Sequence, residues 1–244
     1  MKRMWAVMKR ELAGYFTSPV AYVFIVIFLL LCGFFTFSIG RFYETGQADL
    51  RAFFEWHPWL FLFLVPAVGM RLWADERRDG TIELILTLPV SVAELIFGKF
   101  LAAWLFLGSA LVLTFPIVIT VAYLGEPDFG AVITGYIGSF LMAGAYLSVG
   151  CMTSSLTRSQ VISFILTVVI CLFFLLAGWP PVTGFFSGWA PAWLVSIVEG
   201  FSFMHHFADM ERGVLDLRDL VYYLSVMGFM LMANGVILQS RRAS

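Results

Sequence analysis

Long stretches without a charged residue dominate the chain. A transmembrane helix needs about 20 consecutive apolar residues to cross the hydrocarbon layer of a bilayer. Asp, Glu, Lys and Arg are absent from six stretches, at 12–40, 56–70, 100–125, 129–157, 159–198 and 220–240. The second stretch is short, but it reaches the required length if Glu55 and Arg71 extend to the two interfaces. The pattern predicts six membrane-spanning helices, at about 20–40, 53–73, 98–124, 131–155, 160–179 and 220–239.

The stretch at 159–198 is long enough for one span or for two. Trp179-Pro180-Pro181 is expected to end the first helix of this stretch, because proline cannot continue a helical backbone. Glycines and a further proline interrupt the remainder, which favours six spans over seven. Residues 180–219 then form an external segment that dips into the membrane interface. Charge does not separate the two alternatives, since either places 11 of the 15 basic residues on the inner side.

The composition agrees with a membrane protein. Hydrophobic residues make up 61% of the chain, charged residues only 13%, and the mean hydropathy is +0.91. A soluble chain carries charge on about a quarter of its residues. With six spans, the positive-inside rule places both termini in the cytoplasm. We therefore expect an all-α polytopic protein surrounded by the lipid bilayer, whose residues 1–244 form a single transmembrane domain.

Residues 1–16 are predicted to form an amphipathic helix. One face is apolar and the other is basic, the members being Met4, Trp5, Met8, Leu12 and Tyr15 on the first and Lys2, Arg3, Lys9 and Arg10 on the second. Such a helix lies in the headgroup region of a membrane with its basic face toward anionic lipid. The alternative is a basic leader that only orients the first span.

The connection at 74–91, between the second and third spans, carries a dense charge cluster. Asp75-Glu76-Arg77-Arg78-Asp79 is followed by Gly80-Thr81 and by a short apolar helix that ends at Pro89. Ser91 and Glu94 then have the spacing of a capping box at the start of the third span. A cluster of this kind is often only a solvated stop to a helix. The apolar residues at 82, 84, 85 and 86, outside the membrane, favour a docking surface for another protein.

A row of small residues, Ala131, Gly135, Ser139 and Ala143, recurs every four positions along the fourth span. Such rows let helix backbones approach closely in membranes. The pattern predicts helix packing, either within one chain or across a dimer. Pro116, inside the third span, predicts a kink there.

The sequence carries no recognisable catalytic motif. Gly98-Lys99 lacks both the preceding glycine and the following Ser or Thr of a phosphate-binding loop, so ATP is not expected to bind there. No catalytic residue, metal site, cofactor or nucleic-acid partner is predicted. The spans hold no ionisable group at mid-depth, which weighs against ion-coupled transport. An intramembrane enzyme or a heme-handling protein that uses His57, His205 and His206 stays as an alternative.

Two segments resemble a known family. The stretch from Glu76 through Gly80-Thr81, Glu83-Leu84 and 88–91 to Gly98-Lys99 resembles the loop between spans two and three in permeases of the type-2 exporter (ABC-2) superfamily of ABC transporters. The opening sequence at 9–24, KRELAGYFTSPVAYVF, is similar to the start of the gliding-motility-associated and nitrous-oxide-reductase-maturation permeases of that superfamily.

This resemblance implies a permease that works with separate ATP-hydrolysing subunits. It implies two cytoplasmic ATPase subunits and a second permease copy or a homologous permease. An auxiliary membrane or periplasmic subunit is a further partner that the resemblance allows. Residues 1–16 become an elbow helix, 74–91 a coupling loop, and 180–219 external re-entrant helices. The residues implied in coupling to the ATPase are Asp75, Glu76, Arg77, Arg78, Gly80, Thr81 and Glu83. An exporter is expected first, and a complex that does mechanical or assembly work at the membrane is the alternative.

Overall fold

The protein is built from helices. A computed structural model describes residues 2–45, 49–87, 89–188 and 190–242, and the regular structure within these ranges is helical with no strand. The helices are α1 (Lys2–Thr17), α2 (Pro19–Phe34), a π-helical turn (Phe35–Ile39), α3 (Phe42–Thr45), α4 (Arg51–Phe54), α5 (His57–Gly69), α6 (Arg71–Arg78), α7 (Ile82–Thr87), α8 (Val92–Val112), α9 (Phe115–Leu124), α10 (Phe129–Leu156), α11 (Gln160–Leu176), α12 (Pro180–Ser187), α13 (Ala192–Glu199), α14 (Phe203–Glu211) and α15 (Leu217–Arg242). The expected all-α polytopic fold is thereby confirmed.

Five helical stretches of the described chain are long and apolar enough to cross a membrane. They run over Pro19–Glu44, Arg51–Arg78, Val92–Leu124, Phe129–Leu156 and Leu217–Ser240. The sixth apolar helix, α11, has 17 residues, which lies at the lower end of the length of membrane-crossing helices. After α11 come α12 and α13, which have eight residues each and are too short to cross. The described residues thus contain five helices of spanning length and one shorter apolar helix, and the division into six spans stays a prediction.

Helix α10 lies at the centre of the bundle, where it packs against α5, α6, α8, α11, α14 and α15. One of these neighbours, α5, approaches α10 closely at two glycines, Gly69 and Gly150. A Cβ atom built on Gly150 would lie only 3.2 Å from the Cα of Gly69. Lipid chains are as apolar as leucine, so helices in a membrane associate largely through such close packing rather than through the hydrophobic effect.

The predicted row of small residues on α10 faces the inside of the same chain. The ring of Phe54 lies against Gly135, and the hydroxyl of Ser139 is 2.9 Å from Nδ1 of His57. Ala143 is buried, and Ala131 lies beside Gly213. In this structure the row serves packing within the bundle.

Local sequence signals explain where several helices begin and end. Ser91 and Glu94 form the predicted capping box at the start of α8, with each side chain bonded to the backbone of the other. Asp128 caps α10 by accepting from the N–H of Gly130 at 2.8 Å. The third span breaks at Thr114, directly before the turn that contains Pro116, and so confirms the predicted kink. At this break the Leu111 carbonyl accepts from the backbone N–H of Thr114 at 3.1 Å and from its hydroxyl at 2.6 Å.

We expect Gly150→Ala to destabilise the bundle, whereas Gly228→Ala should not. A methyl group at Gly150 meets the backbone of α5, and overpacking of this kind costs about 1–3 kcal/mol. Around Gly228, in α15, no atom lies within 4 Å of the place that a Cβ would take, so alanine there meets open space. Unfolding in mixed detergent micelles measures both variants. Equal stability of the two would contradict the close contact between α5 and α10.

Candidate functional site

The connection between the second and third spans begins as a continuation of the second span. After a short break at Met70 the backbone becomes helical again as α6, which runs to Arg78 and so passes the expected span end at residue 73. Gly80 has a φ of +71°, a left-handed conformation that glycine adopts without strain. The chain turns there and enters the short helix α7. This turn separates α6 from α7, in which Ile82 packs against the core while Glu83 and Leu84 are exposed.

Three sets of polar contacts fasten α6 to the bundle. The hydroxyl of Ser154, on α10, accepts from the N–H groups of Trp73 and Ala74 at 2.9 and 3.0 Å and donates to the Met70 carbonyl at 2.9 Å. These bonds satisfy backbone groups that the break between α5 and α6 leaves free.

The second set of contacts holds the charged end of α6. Asp75 accepts from the Gln160 side chain of α11, and Arg77 donates to the Ser155 carbonyl of α10.

The third set of contacts centres on Lys99, two turns into α8. Its ammonium group forms ion pairs with Glu76 of α6 and, at 3.6 Å, with Glu11 of α1. The side chain of Lys99 is only 3% exposed, and those of Glu76 and Glu11 are 17% and 25% exposed. The ammonium also lies 5.2 Å from the ring centre of Trp73, within the range of a cation–π contact. One buried cation thus joins three helices that are far apart in the sequence.

The other predicted coupling residues point away from the bundle. Arg78 is exposed and pairs with Asp79 at 3.1 Å and more loosely with Asp75 at 4.0 Å. Gly80 and Thr81 form the exposed turn, and Glu83 lies exposed on α7. Next to it, Leu84 is 69% exposed. The side chains of 85–87 and the whole of Leu88 lie outside the described part of the chain.

The predicted coupling set therefore divides in two. Asp75, Glu76 and Arg77 bind the bundle, whereas Arg78, Gly80, Thr81 and Glu83 lie on the outside. The sequence pattern presented them as one solvated cluster, because five consecutive charges do not indicate which side of a helix faces protein.

Lys99 and Glu11 were not predicted as site residues. A signal existed, since Lys99 stands inside an otherwise apolar helix and a cation there needs a partner. Its partners come from separate helices, so spacing along the chain could not identify them.

The N-terminal helix is held close to this site. Gly98 of α8 leaves room for Val7 of α1, and the ring of Tyr15 stacks on Phe106 with centroids 4.9 Å apart. At the other end of α1, Arg3 donates to the Pro89 carbonyl in the segment after α7. The predicted amphipathic helix is thus present, and it is packed on α8 as well as being available to the headgroup region.

Comparison with protein families decides the class of the molecule. Residues 5–192 match the family described as ABC-2 family transporter protein. The chain belongs to this family. The superfamily resemblance is thereby confirmed, while the likeness to gliding-motility and nitrous-oxide-reductase-maturation permeases stays a prediction. In a comparison with curated proteins, no relative matches the chain.

An ABC-2 permease is an integral membrane component of an ABC transporter, not the catalytic part. Family membership therefore implies that the chain works with ATP-hydrolysing subunits. The contacts of α6 and α7 lie in the connection that resembled the coupling loop of these permeases.

The histidines of this ABC-2 permease serve packing and hydrogen bonding. His57 is buried, bonds Ser139 and stacks on Phe61 with centroids 5.3 Å apart. His206 lies 2.6 Å from Asp219 and stacks on Tyr222 of α15. Within the described ranges, no three His, Cys, Asp or Glu side chains come together in a way that could hold a metal ion. The enzyme or heme hypothesis thus gains no support from the geometry.

Near the opposite ends of the spans, α14 contributes a half-buried carboxyl group, Glu211. It lines a cavity of about 110 Å³ beside Asp49, Arg51, Asp128 and Arg212. Burial raises the pKa of Glu211 to about 7, and the negative charge of Glu55 adds to this, while Arg51 and Arg212 oppose it.

We expect Lys99→Met to destabilise this permease strongly, because Glu11 and Glu76 then lose the cation between them. Removing one partner of a buried ion pair costs on the order of 3 kcal/mol. Adding Glu76→Gln should restore part of the stability, since one of the two uncompensated charges disappears. Arg78→Met is the control, because its pairs are exposed to water and such pairs contribute little to stability. Equal losses in the Lys99 and Arg78 variants, measured by unfolding in mixed micelles, would contradict the role of the buried pair.

We expect Glu211 to make stability depend on pH. A carboxyl group whose pKa rises from 4.5 to about 7 on folding stabilises the folded state at low pH, and this contribution is lost as pH rises through about 7. Glu211→Gln removes that loss, so the variant should melt above wild type at about pH 8 but not at about pH 4. Glu199→Gln, on α13, is the control for net charge. The same pH-dependent gain in both variants would mean that Glu211 is not responsible.

Proposed function

We propose that the chain is the permease subunit of an ATP-driven exporter in the bacterial inner membrane. In this proposal it forms the translocation pathway together with a second copy of itself or a homologous permease. Two cytoplasmic ATPase subunits supply the energy, and both termini lie in the cytoplasm. Membership of the ABC-2 family supports the permease role, the resemblance to type-2 exporters supports the direction, and the distribution of basic residues supports the orientation.

The observation that carries the proposal is the contrast between α6 and α7. Helix α7 presents an exposed leucine and an exposed glutamate, Leu84 and Glu83. A turn of three residues, Asp79-Gly80-Thr81, joins it to α6. Helix α6 is bound to α10, α11 and α8 by side-chain and backbone hydrogen bonds. A short apolar helix on a rigid base is suited to enter a cleft in another protein and to transmit movement.

In this proposal the movement follows the contacts of α6 and α7. From α7 it passes through the turn to α6, and from α6 through Ser154 and Gln160 to the fourth and fifth spans. Through Glu76 and Lys99 it reaches the third span and, through Glu11, the N-terminal helix. ATP-driven closure of the partner subunits then moves these spans together as a rigid body, the mode by which packed helices usually change state.

We expect Leu84→Glu to reduce the recovery of ATPase activity with the purified permease. A charge placed on the apolar side of a docking helix removes a buried contact from the interface, and single contacts of this kind change affinity by about tenfold or more. The measurement is the ATPase activity that co-purifies with the tagged chain from host membranes in mild detergent, per mole of permease.

Leu217→Glu is the matched control for this variant. Leu217 begins α15, is 72% exposed and lies in the connection that the proposed orientation places outside. The same substitution at nearly the same exposure should leave the recovered activity unchanged. If Leu84→Glu retains wild-type activity while the chain is normally folded, α7 is not the ATPase contact.

A further inference from the structure

A cavity of about 380 Å³ lies between the N-terminal helix and three of the spans. Binding pockets for small molecules typically have volumes of about 300–1,000 Å³. The walls come from α1, the start of α2, the junction of α5 and α6, and α8. The cavity therefore lies at the level where the spans meet the headgroups of the leaflet in contact with α1. It is separate from the exposed surface of α7, which the proposed function uses.

One side of the cavity is charged and has an unsatisfied acceptor. Three carboxylates, Glu11, Asp75 and Glu76, and two cations, Arg71 and Lys99, line it. Oε1 of Glu76 binds Lys99, but its second oxygen, Oε2, is buried and has no hydrogen-bond partner among the described residues. A buried acceptor without a partner is unfavourable, so this atom is suited to receive an N–H or O–H group from a ligand. Arg71 is exposed and adds a guanidinium group to the lining.

The other side of the cavity is apolar and opens toward lipid. Val20, Ala21 and Phe24 of α2 line it together with Phe106 of α8. Val20 is exposed, and the exposed side of α2 continues through further apolar residues along the span. Gly14 of α1 also lines the cavity, and a Cβ atom added there would have no atom within 4 Å. The cavity therefore offers a charged wall for a polar head and an apolar wall, continuous with the exposed side of α2, for an apolar tail.

We propose that this cavity binds the headgroup of a phospholipid that carries a primary ammonium group, as ethanolamine phospholipids do. The ammonium provides three N–H donors for Glu76 Oε2 and the neighbouring carboxylates, and its positive charge offsets the excess of acidic groups. Arg71 binds the phosphate, and the acyl chains lie along the exposed side of α2. A choline headgroup has no N–H donor, and a glycerol headgroup leaves the lipid with a net negative charge beside three carboxylates.

The experiment measures lipid binding to the purified full-length chain, without ATP or ATPase, so that its outcome does not depend on the transport proposal. Native mass spectrometry of delipidated protein in detergent compares ethanolamine, choline and glycerol phospholipids with identical acyl chains. We expect the ethanolamine lipid to bind about tenfold more tightly than either of the others, the effect of one or two charge-assisted hydrogen bonds. Equal binding of the three lipids would overturn the assignment of the headgroup.

A second arm distinguishes a lipid site from a site for the free headgroup. Water-soluble glycerophosphoethanolamine is added in large excess to protein that holds the ethanolamine lipid. Because it lacks the chains that lie along α2, it should not displace the lipid. Displacement at concentrations similar to those of the lipid itself would show that the apolar side of the cavity plays no part, and would overturn the proposal for a lipid.

Gly14→Leu tests the location of the site. The leucine side chain extends into the open space of the cavity, and leucine also favours the helix over glycine, so α1 should remain folded. The matched control is Gly228→Leu, since Gly228 is likewise a helical glycine that faces open space but does not line the cavity. We expect Gly14→Leu to lose the preference for the ethanolamine lipid and Gly228→Leu to keep it. Unchanged preference in Gly14→Leu would place the lipid elsewhere.

Discussion

Close approach of α10 to its neighbours is the constraint on which the rest of the structure depends. In hydrocarbon no gain from burying apolar surface draws helices together, so the shape of the contact decides which helices pair and where. Glycine on α10 allows the backbone of α5 to lie directly against it at Gly150 and the ring of Phe54 to lie against Gly135. Since α6 follows α5 after a single break, this crossing point also sets where α6 meets Ser154. The apolar contact between α5 and α10 therefore positions the polar contacts of α6.

The buried contacts of α6 and its exposed pairs have different physical roles. Exposed pairs such as Arg78 with Asp79 are screened by water and add little stability. The Lys99 cluster is costly to desolvate, so its net contribution to stability is small although the loss of one partner is expensive. What such a cluster provides is a defined arrangement, because any displacement of α1, α6 or α8 leaves a charge without its partner. A segment that transmits movement needs this property more than it needs stability.

The all-α membrane-spanning class could be predicted from the sequence for a simple reason. Within a bilayer every backbone polar group must be bonded inside its own segment, so an uncharged stretch of sufficient length has to be a helix. The start of α8 at the Ser91–Glu94 capping box and the break near Pro116 could also be predicted, because each depends on only a few neighbouring residues. The partners of Lys99 and the division of the charged cluster depended on which faces of distant helices meet. That information lies in the packing of α10 and is not visible in the spacing of the residues.

Lys99 also has a different environment before and after the chain folds. While α8 enters the membrane, its ammonium is an unpaired positive charge near one end of the span, and in the orientation we propose it helps retain that end in the cytoplasm. In the finished bundle the ammonium is paired, because carboxylates from α1 and α6 lie beside it. Both carboxylates precede Lys99 in the chain, so they are synthesised before α8. One residue thus serves first the orientation of its span during insertion and then the joining of three helices in the folded bundle.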